Sequence, residues 1–198
     1  MFIYLKSINF LLISLIVIVL NGCSSTNMKD FENKTPKLNL FEFFKGETVA
    51  YGIFEDRFGK LRRQFRVKIK GSVEENVLTL DEKFIYDDGE KATRIWKIKK
   101  INENNNLIKY EGSAEDVEGL ATGTSVGNAL NWTYDIYLNM KGSNLKVKFN
   151  DWIYKQDSNV AINRAYVSKF GIDIGSVTLV FLRGQTAKTV SPLNMSSW

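Results

Sequence analysis

From Gly46 onward the chain alternates hydrophobic and polar residues with a period of two, the spacing of strands with one buried and one wet face. Phe65, Val67 and Ile69 alternate with Arg66, Lys68 and Lys70, and Leu145, Val147 and Phe149 with Lys146, Lys148 and Asn150. Leu78, Leu80, Phe84 and Tyr86 share a face that Glu82 interrupts, and Trp96 and Ile98 alternate with Lys97 and Lys99. Trp132, Tyr134, Ile136, Leu138 and Met140 also point one way, and Ser176 to Arg183 is a more uniformly apolar run. Turn signals separate the runs: Arg57-Phe58-Gly59, Asp87-Asp88-Gly89, Asn104-Asn105-Asn106 and Lys141-Gly142-Ser143-Asn144. No window of the domain has helical periodicity, which argues against βαβ folds. The pattern predicts an all-β fold of about nine or ten antiparallel strands joined by hairpins, best closed into a single up-and-down barrel because closure removes exposed edges. A β-sandwich is the alternative. Leu38 to Phe44 is a short apolar cluster that predicts a short N-terminal helix ending at Gly46, in position to plug a barrel mouth.

The first 22 residues follow different rules. Lys6 is their only charge, and Ile8 to Leu20 is an apolar run too short for a comfortable membrane span and suited to a secretory signal peptide. Leu20-Asn21-Gly22-Cys23 resembles the lipobox of bacterial lipoproteins, with Asn21 departing from the usual small residue. The plain alternative is a signal peptide or uncleaved anchor beside an incidental cysteine. Residues 1–22 are therefore expected to be removed, Cys23 to be acylated, and 23–36 to form a flexible tether to a barrel domain over 37–198. Ser24, where sorted lipoproteins retained at the inner membrane carry Asp, implies an outer-membrane address facing the periplasm of a Gram-negative cell.

Composition narrows the chemistry. The 198-residue chain has no histidine and one cysteine, which excludes Ser-His-Asp triads, Cys-His dyads, His-ligated zinc, internal disulfides and CxxC redox motifs. Its net charge of +5 is scattered, and an exported protein gives no reason to expect nucleic acid. No metal or cofactor site is expected. Gly119 to Gly127 lacks the ending and the strand-to-helix setting of a phosphate loop, and reads as kinks in strands.

One hairpin can be registered from sequence alone. With Asp87-Asp88-Gly89 as a three-residue loop and Gly89 left-handed, Leu80 faces Trp96 and Glu82 faces Arg94 on the concave side. Such a pair is either a satisfied ion pair that fixes register or an anchor for a polar head group. Trp96, Trp132, Tyr134 and Trp152 are either barrel core or the wall of a ligand pocket.

The strings Ala50–Gly59 (AYGIFEDRFG), Leu80–Gly89 (LDEKFIYDDG), Arg94-Ile95-Trp96, Gly127-Asn128-Ala129, Asp151-Trp152, Asn163-Arg164 and Lys169-Phe170-Gly171 occur in order across nearly the whole domain. With them the chain resembles the bacterial lipoprotein family called domain of unknown function 3833. The resemblance implies a lipid-anchored, periplasm-facing domain similar in outline to lipocalin-like barrels. It also implies a lipid-related role, since members are often encoded beside enzymes that modify fatty acids. The family's polar positions fall here on Arg57, Glu82, Arg94, Asp116, Asn128, Asp151, Asn163 and Arg164. The Gly-x-Trp signature of true lipocalins is missing, because Gly71-Ser72 is followed by Val73.

The expected function is a non-enzymatic binder or carrier of a fatty acid or other hydrophobic ligand, attached to the membrane through its N-terminal acyl chains. Glu82, Arg94, Trp96, Asn128, Trp132, Tyr134, Trp152 and Arg164 are the candidate ligand-binding residues, with Arg94 or Arg164 meeting the head group. A filled barrel serving as a structural or interaction lipoprotein is the alternative, and an internal cavity discriminates between the two.

Overall fold

The computed structural model describes residues 26–104, 106–140 and 143–198. Cys23 and the expected signal peptide lie outside the described residues. Ten strands run in chain order: β1 (Gly46–Asp56), β2 (Leu61–Glu74), β3 (Val77–Tyr86), β4 (Lys91–Asn104), β5 (Leu107–Ser113), β6 (Val117–Val126), β7 (Ala129–Met140), β8 (Ser143–Lys155), β9 (Val160–Lys169) and β10 (Ile172–Arg183). Each pairs antiparallel with the next, and β10 pairs with β1 to close the barrel. The barrel expectation holds, and the sandwich does not.

The period-two reading explains the burial. Val67 and Ile69 are buried inside while Lys68 and Lys70 are exposed, and a slip of one residue would exchange the two sets. Leu80 pairs with Trp96 and Glu82 with Arg94, the register anticipated from the hairpin. Gly89 has φ 83° and its N–H donates to the Tyr86 carbonyl, as a three-residue loop with a left-handed last residue requires. β5 and β6 are hard to see in sequence because glycine sits at inward positions. At Gly112 a Cβ would lie 2.8 Å from the Trp132 ring, and at Gly123 only 2.2 Å. The ladder also shifts register between Glu118 and Thr122.

One end of the barrel is plugged. Helix α1 (Leu40–Phe44) is capped by Asn39, whose Oδ1 accepts from the Phe41 N–H at 3.0 Å, and it buries Leu40, Phe43 and Phe44. The Leu38 N–H donates to the Gly127 carbonyl at 2.8 Å, and the Leu40 N–H to the Tyr110 hydroxyl at 3.3 Å. Gly71 admits the plug, since a Cβ there would stand 1.8 Å from the Phe44 carbonyl oxygen. A 3-10 turn over Met28–Phe31 continues this end outward, with Phe31 against Trp152 and Tyr154, so the later part of the expected 23–36 tether is seated on the barrel rather than flexible. A short C-terminal helix, α2 (Gly184–Thr189), follows β10. The tail beyond it crosses β2, where Arg66 donates to the Asn194 and Ser197 carbonyls. The hairpin turns β1–β2, β3–β4, β5–β6, β7–β8 and β9–β10 lie at the other end. The core cluster runs from Leu38 to Phe181, so a chain that starts at Ser24 keeps all of it.

Candidate functional site

The interior is hollow. A cavity of about 790 Å³ runs inside the strands, within the size range of small-molecule sites and well above the roughly 300 Å³ at its lower end. Its wall is mostly apolar: Phe65, Val67, Leu80, Trp96, Trp132 and Tyr134 on one side, Leu179 and Phe181 on the other. The aromatic rings pack edge to face, Trp96 with Trp132 at 5.7 Å and with Tyr134 at 5.2 Å, a rigid wall rather than a collapsed one.

A polar cluster interrupts this wall. Arg94 on β4 donates through Nε and Nη2 to Asp116 Oδ2, at 3.0 and 2.7 Å. Asp116 arrives from the turn between β5 and β6, which folds back toward the sheet. The sequence had suggested Glu82 as the ion-pair partner of Arg94. The two are neighbours, but Asp116 takes the guanidinium, and the Glu82 carboxyl makes no hydrogen bond among the described residues. Across the cavity, Asp151 on β8 is 6% exposed and accepts a 2.7 Å hydrogen bond from Asn163 on β9.

Electrostatics follows from one cation among three carboxylates. Burial pushes the Glu82 carboxyl up to about 7, with Asp116 and Asp151 adding to the effect and Arg94 opposing it. Burial likewise lifts Asp151 to about 6, against Asn163, Arg94 and a hydrogen bond from Tyr134. Burial works to lower the Arg94 pKa, but Tyr134, Glu82 and Asp116 outweigh it and raise the value. Tyr134 is raised well above the ordinary phenol value by burial, so it is a neutral hydroxyl. The missing histidine therefore does not leave this cavity without groups that titrate near neutrality. Two acceptors, Asp116 Oδ1 and Asn163 Oδ1, are buried without a partner, and the Tyr134 hydroxyl lies against the Asp151 carboxylate. No group of His, Cys, Asp and Glu among the described residues could hold a metal ion.

Of the residues singled out in the sequence, Glu82, Arg94, Trp96, Trp132 and Tyr134 meet in the cavity. Three do not, and their expected placement is corrected. Trp152 is on the outward side of β8, between the inward Asp151 and Ile153, where it packs against Phe31. Arg164 points outward from β9, donating to Thr178 Oγ1 and pairing with Glu55. Asn128 sits in the β6–β7 turn at the plugged end and donates to the Lys155 carbonyl. Asp116, Asp151 and Asn163 belong to the site instead. The strand parity of Asp151, in phase with Val147 and Phe149, was the available signal for one of them.

A family model described as "Protein of unknown function (DUF3833)" matches residues 17–183, and the chain belongs to that family. Among curated proteins none matches. Among solved structures, the chain is similar to the S-type phycobiliprotein lyase of Guillardia theta, with a TM-score of 0.55 at 8% identity, covering 81% of this chain and 98% of that one. At that identity the likeness is one of fold, a lipocalin-like antiparallel barrel.

Proposed function

We propose that this protein is a lipid-anchored, periplasm-facing lipoprotein whose barrel binds an amphipathic molecule, a fatty acid derivative or related lipid, without transforming it. The observation that carries the reading is the mostly apolar cavity of about 790 Å³ with the Arg94 cluster set into its wall. An acyl chain would lie against Trp96, Trp132 and Phe181, and the head group would reach Arg94, Glu82 and Asp151.

The cluster also sharpens the head-group chemistry. A bare carboxylate would meet guanidinium groups already engaged, Arg94 by Asp116 and Arg63 by Asp88 and Glu90, and the further acidic side chains Glu82 and Asp151. A head group that brings hydrogen-bond donors, such as hydroxyls, would instead meet the Glu82 and Asp151 carboxyl groups that line the cavity. A hydroxyl-bearing acyl lipid is therefore favoured over a free fatty acid. Acylation of Cys23 and an outer-membrane address remain part of this reading on the strength of the lipobox and Ser24.

Native mass spectrometry of the domain purified from its own host, with extraction and identification of co-purified lipid, tests the reading. Near-stoichiometric lipid is the expected result. A clean unliganded mass under gentle conditions would overturn it.

A further inference from the structure

The tip of the β9–β10 hairpin is built against the preferences of its own turn. β9 ends at Lys169 and β10 begins at Ile172, which pair directly, so Phe170 and Gly171 form a two-residue turn. Both have positive φ, 51° and 76°. Turns of that shape favour Asn-Gly or Asp-Gly, because a bulky side chain is strained where φ is positive. Phe170 is strained there and is also 92% exposed, so folding gains nothing from its ring.

The neighbouring tip repeats the theme. β1 pairs with β10, and the Arg57 N–H donates to the Ile174 carbonyl at 3.0 Å, which places the β1–β2 and β9–β10 turns side by side at the open end. Phe58 on the first is 83% exposed, and Leu61 and Ile172 are exposed just behind the two rings. Arg57 lies 5.2 Å from the Phe58 ring and Lys169 5.2 Å from the Phe170 ring, with Lys60 and Arg62 beside them. Against these four cations stand Asp56, which Arg62 neutralises, and Asp173. On the next hairpin of the same rim, between β3 and β4, Asp88 and Glu90 are held by Arg63.

We infer that Phe58 and Phe170 form a membrane-docking edge, inserting at the interface of a bilayer that carries anionic lipid while Arg57, Lys60 and Lys169 meet the head groups. Charge complementarity fixes the occupant: exposed aromatic tips flanked by cations match an anionic bilayer surface, where each basic residue near the surface contributes about 1 kcal/mol. The inference stands on the rim and is independent of what the cavity holds.

The test is co-sedimentation of Ser24–Trp198 with phosphatidylcholine vesicles that do or do not contain phosphatidylglycerol. Wild type is expected to pellet with the anionic vesicles, and high salt to release it. Phe170→Asn, which suits the turn, is expected to melt at or above the wild-type temperature yet pellet at least fivefold less, with Phe58→Ser behaving alike in pelleting. Arg57→Glu combined with Lys169→Glu is expected to abolish pelleting. No wild-type pelleting, or pelleting unchanged in the Phe variants, overturns the inference. So does dimerisation of wild type without pelleting, which would assign the patch to a second copy. Native mass spectra of the same samples separate the two proposals: an empty barrel that pellets overturns only the carrier reading, and a loaded barrel that never pellets overturns only this one.

Discussion

Glu82 and Arg94 are directly opposed on β3 and β4, yet the guanidinium is held by Asp116, which reaches it from the turn between β5 and β6. One ion pair thereby ties that turn to a strand two places away. Arg94→Met leaves Asp116 and Glu82 facing each other without a cation. The pair is partly solvated, with side chains 23% and 35% exposed, so the loss should be about 2 kcal/mol rather than the larger cost of a fully buried break. Urea unfolding followed by tryptophan fluorescence measures it, and adding Asp116→Leu to Arg94→Met should recover at least half.

Stability should fall as pH rises through the neutral range. Glu82 moves from an ordinary 4.5 to about 7, and Asp151 from 3.8 to about 6. Both folded-state values are raised, so between roughly pH 4 and 7 the folded chain binds more protons than the unfolded one and loses relative stability with increasing pH. At about 1.4 kcal/mol per unit, the two shifts bound the effect at roughly 6 kcal/mol. Glu82→Gln combined with Asp151→Asn should flatten this slope and leave the double variant more stable than wild type at pH 8. Thermal melts at pH 4.5, 6 and 8 give the comparison, and an unchanged slope would contradict the assignment of both groups.

The plug depends on a missing side chain. Gly71→Ala sets a methyl group 1.8 Å from the Phe44 carbonyl oxygen, a backbone atom that cannot swing aside. The variant should lose more than 2 kcal/mol and expose apolar surface to a hydrophobic dye, whereas Tyr110→Phe, which removes one hydrogen bond to the Leu40 N–H, should cost about 1 kcal/mol. Equal effects of the two would show that α1 is held elsewhere.

Filling the cavity should block it without unfolding the barrel. Ala165 lines the cavity and is 1% exposed. Ala165→Leu places a larger side chain beside Asp151, its partner across the strands, and should lower the lipid co-purified with the domain severalfold while changing the melting temperature by only a few degrees.

Strand parity made much of this legible in advance. Wherever one face was apolar, as from Phe65 to Ile69 or Trp132 to Leu138, the inward residues could be named, and the Glu82 and Arg94 register followed from one turn. What parity could not give is what a turn brings back over the sheet, which is how Asp116 displaced Glu82 as the partner of Arg94. Aromatic identity also misled: Trp152 is inside by composition and outside by phase, because the N-terminal segment supplies Phe31 to cover it. Arg164 was misassigned for the same reason, an arginine beside an inward Asn163.

The plug gives the barrel a direction. Thr26 belongs to the plugged end, and with Cys23 acylated as proposed only Ser24 and Ser25 separate it from the lipid, a reach of about 10 Å. The proposed anchor and the mouth would then occupy opposite poles of the molecule. Such a protein is held by its base and opens away from its own bilayer, so whatever enters it comes from the far side. Its geometry would suit a receiver standing on one surface and facing another, not a protein that gathers lipid from the membrane that holds it.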